Sequence, residues 1–217
     1  MLEAVLWDMD GTLVDTEPYW IDTEFALAEE FGASWSHDLA LQLVGNDLLS
    51  SGRFIQEQMG LPLTPAEIVE RLLDGVVERV QHDVPWRPGA RELLEELKIA
   101  GVPCALVTMS WERFVAPIVA ALPPDTFSVV VTGDMVTHGK PHPEPYATAA
   151  RRLGVDPSAT VAIEDSETGC RSAEAAGCTV LAVPLHVSVA PGDRRTFRDT
   201  LVGLDPTSLA ALRLSAV

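Results

Sequence analysis

Five short apolar runs, each ending abruptly in polar residues, constrain the fold of this chain more than any other feature. They are Leu2 to Trp7, Val102 to Val107, Phe127 to Val131, Thr160 to Ile163 and Thr179 to Val183. Apolar runs this short suit strands buried on both faces, as in a parallel sheet. Helix-period segments separate the later runs: Ala90 to Ala100, with Leu93, Leu94 and Leu97 on one face, then Pro145 to Leu153 and Glu167 to Ala176. Gly101, Gly154 and Gly177 follow them as helix terminators. Strands alternating with helices predict βαβ units, and hence an α/β fold with a mostly parallel sheet.

The stretch from Glu17 to Trp86 breaks that rhythm. It shows no strand pattern and at least two amphipathic helices: Trp20, Leu27 and Phe31 share one face, and Val69, Leu72, Leu73, Val76 and Val80 crowd another. A helical insert between the first and second strands is expected, with its return hinge at Pro85, Pro88 and Gly89. The chain is then divided into a core, 1–16 and 87–217, and an inserted helical domain, 17–86.

Composition narrows the function. With 217 residues and 47% hydrophobic content, the chain can bury a real core. Acidic residues outnumber basic ones 32 to 15, giving a net charge of -17. That balance argues against nucleic-acid polymers and anionic membrane surfaces as partners. Met1-Leu2-Glu3-Ala4 has no basic stretch ahead of an apolar run, and the apolar segment near Val180 to Val189 is broken by Pro184 and His186. A secretory leader and a membrane span are not expected, and a cytoplasmic location is. Cys104, Cys170 and Cys178 show no metal-ligand spacing and read as reduced thiols. A monomer is the default for a chain of this size.

Polar residues gather where the runs end, and strand C-termini form the binding edge of an open parallel sheet. Those ends carry Asp8 and Asp10, Thr108 and Ser110, Asp134, and Glu164 with Asp165, while Lys140 follows the third run. Asp8 and Asp10 either form a solvated turn or share one crevice, where a divalent cation with hard oxygen ligands would relieve their repulsion. Lys140 is one of only two lysines, against thirteen arginines, and Pro141 and Pro143 stiffen the segment after it. A lysine so placed suits neutralisation of phosphate charge, and the Thr108 hydroxyl and nearby backbone N–H groups suit its oxygens.

The motif Asp8-Met9-Asp10-Gly11-Thr12-Leu13-Val14-Asp15 resembles the first motif of the haloacid dehalogenase superfamily. Thr108 after Ala105-Leu106-Val107 matches the second motif, and Lys140 within Gly139-Lys140-Pro141 matches the third. Val161-Ala162-Ile163-Glu164-Asp165-Ser166-Glu167-Thr168-Gly169 resembles the acidic fourth, with Ala175-Ala176-Gly177 continuing it. The four occur in the right order and spacing from Met1 to about Val183. The helical insert is similar to the small cap of the beta-phosphoglucomutase-like branch. The resemblance implies a Rossmann-like three-layer core plus an inserted helical cap, and an Mg²⁺-dependent phosphomonoester hydrolase for a small phosphorylated metabolite, a sugar or polyol phosphate. Asp8 is then the nucleophile forming an aspartyl-phosphate, and Asp10 the acid and base. Thr108, Met109, Ser110 and Lys140 hold the phosphoryl group. Asp8, Asp10 through its carbonyl, Asp165 and Glu164, directly or through a neighbour, hold Mg²⁺.

Single residues separate the rivals inside that superfamily. Its dehalogenases lack the second aspartate and need no metal, so Asp10 and the Glu164-Asp165 pair argue against dehalogenation. Phosphonate cleavage uses a cap lysine, and the span from Glu17 to Trp86 has none. Sugar phosphomutases carry a histidine shortly after the first motif and a cap arginine for the second phosphate; the matching positions here hold Trp20 and Asn46, with Arg53 near only in sequence. Both departures favour hydrolysis over the mutase alternative. A non-catalytic phosphate sensor or interaction protein is the second alternative, and the intact set of motif residues argues against it.

Other positions carry two readings each. Trp20 either stacks on the leaving group or packs into the first helix of the insert. Asn46 and Asp47 either contact the leaving group or cap a helix starting near Leu48. Arg113 lies either at the substrate rim or on a helix surface. His138 and His142 lack a third ligand at meaningful spacing and read as surface groups or as supports behind the site residues. Asp193-Arg194-Arg195 reads as a charged loop, and Thr207 to Leu214 as a last helix packed on the core or on a neighbour.

Overall fold

The computed structural model describes residues 2–214 of the chain; Met1 and 215–217, at the ends of the expected core, lie outside the described residues. Six parallel strands form one sheet in the order β3-β2-β1-β4-β5-β6. They are β1 (Ala4–Trp7), β2 (Cys104–Val107), β3 (Val129–Val131), β4 (Thr160–Glu164), β5 (Thr179–Ala182) and β6 (Arg195–Phe197). This is the doubly wound order, in which the chain reverses direction across the sheet next to β1. The crevice outside the C-terminal ends of β1, β2 and β4 is therefore the natural ligand site.

Burial follows from the sequence of the strands. β1, β2, β4 and β5 are buried along their whole length, as expected for apolar runs covered on both faces. In β1, Ala4 and Leu6 join one core layer, and Val5 and Trp7 join the other, which is the two-residue period of a strand. On one side lie α7 (Glu144–Leu153) and α8 (Glu167–Ala176), contributing Tyr146, Ala149, Cys170 and Ala173. On the other, α5 (Ala90–Ile99) and α9 (Pro206–Leu214) pack beneath β2, β4 and β5, so the last helix covers the core of its own chain. All three cysteines are free and buried.

Two corrections concern strand extent. The first three strands begin two residues later than their apolar runs; before β2, Pro103 has no N–H to give a ladder. The sixth strand was not expected. The loop assigned to Asp193-Arg194-Arg195 ends in β6, whose Arg195 sits opposite Val180. Its side chain is nearly buried and pairs with Glu167 at 2.6 Å and Glu174 at 2.8 Å on α8. Three residues, Arg-Thr-Phe, carry no periodic signal; the ion pairs hold the edge strand in place.

Between β1 and α5 the chain forms four helices: α1 (Glu17–Phe31), α2 (His37–Ala40), α3 (Leu48–Met59) and α4 (Pro65–His82). Thr64 and Glu67 close a capping box at the start of α4, and Asp47 caps α3 by accepting from Ser50 N–H. The five apolar residues expected on one face of α4 are all buried. The strands entering and leaving the insert run side by side. Val14 bridges antiparallel to Trp86, Asp15 N–H donates to Pro85 O, and Arg87 N–H donates to Leu13 O. No described helix is long and apolar enough to cross a membrane.

Candidate active site

The site starts at the end of β1. Asp8 is its first residue beyond the strand, and the chain turns at Gly11, whose φ is +82°. A side chain there is disfavoured on two counts: the left-handed backbone strains it, and a Cβ would lie 2.0 Å from Asp165 Oδ2, which would have to move. The close approach of this loop to the end of β4 thus depends on glycine. Buried Arg87, from the return of the insert, donates to Gly11 O and holds the turn from behind.

Lys140 reaches the same place from the loop before α7. Its ammonium donates to Asp8 Oδ1 and to Glu164 Oε1, each at 2.6 Å, and its side chain is only 3% exposed. Burial pulls this lysine down, but Asp8 and Glu164 more than offset it and hold it above its ordinary value. Burial, then Glu164, pushes Asp8 up to about 7 despite the opposing Lys140. Asp165 is raised well above the carboxylate range by burial and by Asp8 and Glu164. Glu164 is fully buried: Oε1 also accepts from Tyr146 OH at 2.6 Å, and Oε2 from Ser166 Oγ at 3.2 Å. Both its oxygens are engaged.

Asp10 is held by hydroxyls. Thr16 Oγ1 donates to Oδ1 at 2.5 Å, and Ser110 Oγ donates to Oδ2 at 2.7 Å. Thr16 precedes α1 as its N-cap residue, yet its side chain makes no capping bond because it is committed to Asp10. Thr108 Oγ1 accepts from Ser110 N–H at 3.0 Å and lies 3.4 Å from Asp10 Oδ2. Met109 backs the lysine loop, its sulfur accepting from Lys140 N–H. Asp8, Asp10, Thr108, Met109, Ser110, Lys140, Asp165, Trp20 and Asn46 all line one pocket. Glu164 lies behind its wall, holding Lys140.

A profile of haloacid dehalogenase-like hydrolases matches residues 5–183. The chain belongs to that family. This hydrolase is 34% identical over 186 residues to the phosphorylated carbohydrates phosphatase of Thermotoga maritima, covering 81% of this chain and 82% of that one. It is 28% identical over 216 residues to hexitol phosphatase B of Escherichia coli O157:H7, covering 96% and 93%. The solved structure of CbbY from Rhodobacter sphaeroides in complex with xylulose-(1,5)bisphosphate superposes with a TM-score of 0.84, at 29% identity and 96% and 99% coverage.

The donor set of this hydrolase fits a hard divalent cation. Ligand atoms of Asp8, Glu164 and Asp165 lie within 4.8 Å of one another. Asp8 Oδ2 and Asp165 Oδ2 are buried and accept no hydrogen bond, which is costly unless a cation satisfies them.

The remaining candidates divide. Trp20 lines the pocket, and its ring also packs edge-on against Phe114 at 5.3 Å. Asn46 lines the pocket, and Asp47 caps α3. Arg113, on α6 (Glu112–Ala120), pairs with Glu70 and Asp74 of α4 and so ties core to insert. His138 and His142 do gain a third group, because Glu144 accepts from His138 Nδ1 at 3.0 Å. That carboxylate also accepts from the Thr137 and His138 N–H groups, as a cap for the turn before α7. Asp134 accepts from Thr132 Oγ1 and Glu112 N–H. Pocket and support residues that escaped the sequence reading include Glu17, Glu24, Ser51, His186, Thr16 and Tyr146. For Tyr146 a signal existed, since a tyrosine on the buried face of a helix needs a partner for its hydroxyl.

Proposed function

We propose that this hydrolase is an Mg²⁺-dependent phosphomonoesterase acting on a small phosphorylated carbohydrate or polyol through an aspartyl-phosphate on Asp8. The observation that carries this reading is the buried Lys140 ammonium clamped between Asp8 and Glu164, beside the two unsatisfied carboxylate oxygens of Asp8 and Asp165. The phosphatase names of the relatives support it. The helical insert serves as the cap, closing 17–86 over the core.

Asp8 is held by Lys140 through Oδ1, which leaves Oδ2 without a hydrogen-bond partner among the described residues. In the first half-reaction an Asp8 oxygen forms a bond to phosphorus while the bond from phosphorus to the ester oxygen breaks. Asp10 gives its proton to the departing alkoxide. In the second, water bonds to phosphorus and loses a proton to Asp10, and the Asp8–phosphorus bond breaks to release phosphate. Thr16 and Ser110 keep the Asp10 carboxyl aimed during both transfers. Lys140 and the Thr108 hydroxyl lie where the transferring phosphoryl oxygens gather charge, so most of the catalysis is electrostatic. Mg²⁺, when bound by Asp8, Asp165 and the Asp10 carbonyl, would supply further charge neutralisation for the phosphoryl group. Glu164 positions Lys140. Cap closure excludes bulk water from the intermediate.

The test is phosphate release from a panel of phosphorylated metabolites with Mg²⁺, including beta-glucose 1-phosphate with a trace of glucose 1,6-bisphosphate. Net phosphate release concentrated on carbohydrate or polyol monophosphates is expected, and EDTA should abolish it. Formation of glucose 6-phosphate without phosphate release would overturn hydrolysis in favour of a mutase.

A further inference from the structure

The part of the pocket wall that α1 supplies is acidic. Glu17, Trp20 and Glu24 project from one face of α1, at the three- and four-residue spacing of a helix, and line the pocket together with Asn46 and Ser51. No arginine or lysine from the insert lines it. The arginines that might have supplied a positive wall are engaged elsewhere: Arg71 with Glu30, Arg53 with Ser50 Oγ, and Arg79 with Gly75 O.

Neither carboxylate has an ionic partner among the described residues. Glu24 is only 3% exposed, and its Oε2 accepts from Trp35 Nε1 at 2.9 Å, which leaves Oε1 for the cavity. Glu17 makes no side-chain hydrogen bond or ion pair among the described residues. Burial pushes Glu24 up to about 7, and burial followed by Glu24 itself pushes Glu17 up to about 8. A buried carboxylate and a half-buried one beside the same cavity, held at such a cost, call for a ligand that uses them.

We infer that Glu17 and Glu24 form the leaving-group subsite, accepting hydrogen bonds from the hydroxyls of an uncharged polyhydroxy alcohol and excluding esters that carry a second anionic group. The inference rests on the phosphatase reading above and names its substrate class. Hydroxyl donors to a carboxylate make strong, short bonds, and the ring of Trp20 offers an apolar face to the C–H side of a carbohydrate. A carboxylate or second phosphate held against α1 would meet acidic side chains and no arginine or lysine of the insert; His186, which also lines the pocket, is already hydrogen-bonded to Asp15. The fold does not impose this choice, since the structurally similar CbbY is seen with a bisphosphate. The wall does.

The experiment compares kcat/KM at pH 8, with Mg²⁺ and the full chain, for sorbitol 6-phosphate and 6-phosphogluconate. These differ only in having a hydroxymethyl or a carboxylate at the far end. Fructose 6-phosphate and fructose 1,6-bisphosphate form a second pair. The wild type is expected to prefer the less charged member of each pair by roughly 100-fold. Glu24→Gln and Glu17→Gln should each shrink that ratio by roughly tenfold, because an amide no longer repels the anion. Using the ratio within each variant removes any general loss of activity. Equal efficiency within the wild-type pairs would overturn the subsite while leaving the phosphatase intact. A ratio unmoved in both variants would also overturn it, reducing the glutamates to a structural role. No release from any ester, p-nitrophenyl phosphate included, would instead remove the phosphatase reading and this inference with it.

Discussion

Buried charge dominates the chemistry at the scale of single residues. Lys140 lies between two carboxylates, so removing it strands both in a water-poor site. Lys140→Met should abolish phosphate release and, with metal removed by EDTA, lower stability by about 3–5 kcal/mol in denaturant unfolding; unchanged stability would mean that the three groups are not ionised together. Glu24 predicts the opposite sign. Its folded pKa, about 7, lies above the ordinary 4.5, so the folded protein holds this proton more tightly than the unfolded chain does. Stability is therefore greatest below the unfolded pKa and declines as pH rises through 4.5 to about 7. Glu24→Gln keeps an acceptor for Trp35 but cannot ionise. It should stabilise the protein above pH 7 by up to about 3 kcal/mol and have little effect near pH 4. Thermal unfolding at both pH values checks this, and an equal effect at the two would contradict it. The proposed leaving-group subsite accounts for a native glutamate kept at a cost in stability.

Among the elements, most of the architecture is legible because the strands are apolar and the helices end in glycine. Gly32, Gly154 and Gly177 all take the left-handed conformation that ends α1, α7 and α8. The motif residues are legible for a related reason: each sits at or close beyond a strand end, where side chains are free to face a crevice. What escaped depends on contacts between residues far apart in the chain. Tyr146 to Glu164 and Arg195 to Glu174 have no local sequence pattern, and Thr16 looks like a helix cap while its hydroxyl serves Asp10. Edge strand β6 is the test at this scale. Arg195→Ala removes its tie to α8, where the two glutamates are partly exposed and rehydrate. A loss of about 1–2 kcal/mol is expected in urea unfolding, with kcat/KM unchanged. A loss of activity equal to that of a pocket variant would show that β6 shapes the site.

For the whole molecule, the sheet brings residues from β1, β2 and β4 to one rim, and the insert adds further lining to the same pocket, including the acidic pair on α1. Metal should therefore bind the folded chain and stabilise it. Mg²⁺ is expected to raise the melting temperature in proportion to the logarithm of its concentration above its Kd, an effect that Asp165→Asn removes. An identical shift in that variant would place the cation elsewhere. The central claim is that Asp8 carries the phosphoryl group. The most direct measurement is peptide mapping of enzyme quenched in acid during turnover with Mg²⁺ and p-nitrophenyl phosphate. One phosphoryl group on the peptide containing Asp8, together with loss of phosphate release in Asp8→Asn, is the predicted result. Full activity in Asp8→Asn, or phosphorylation of another residue, would contradict the account.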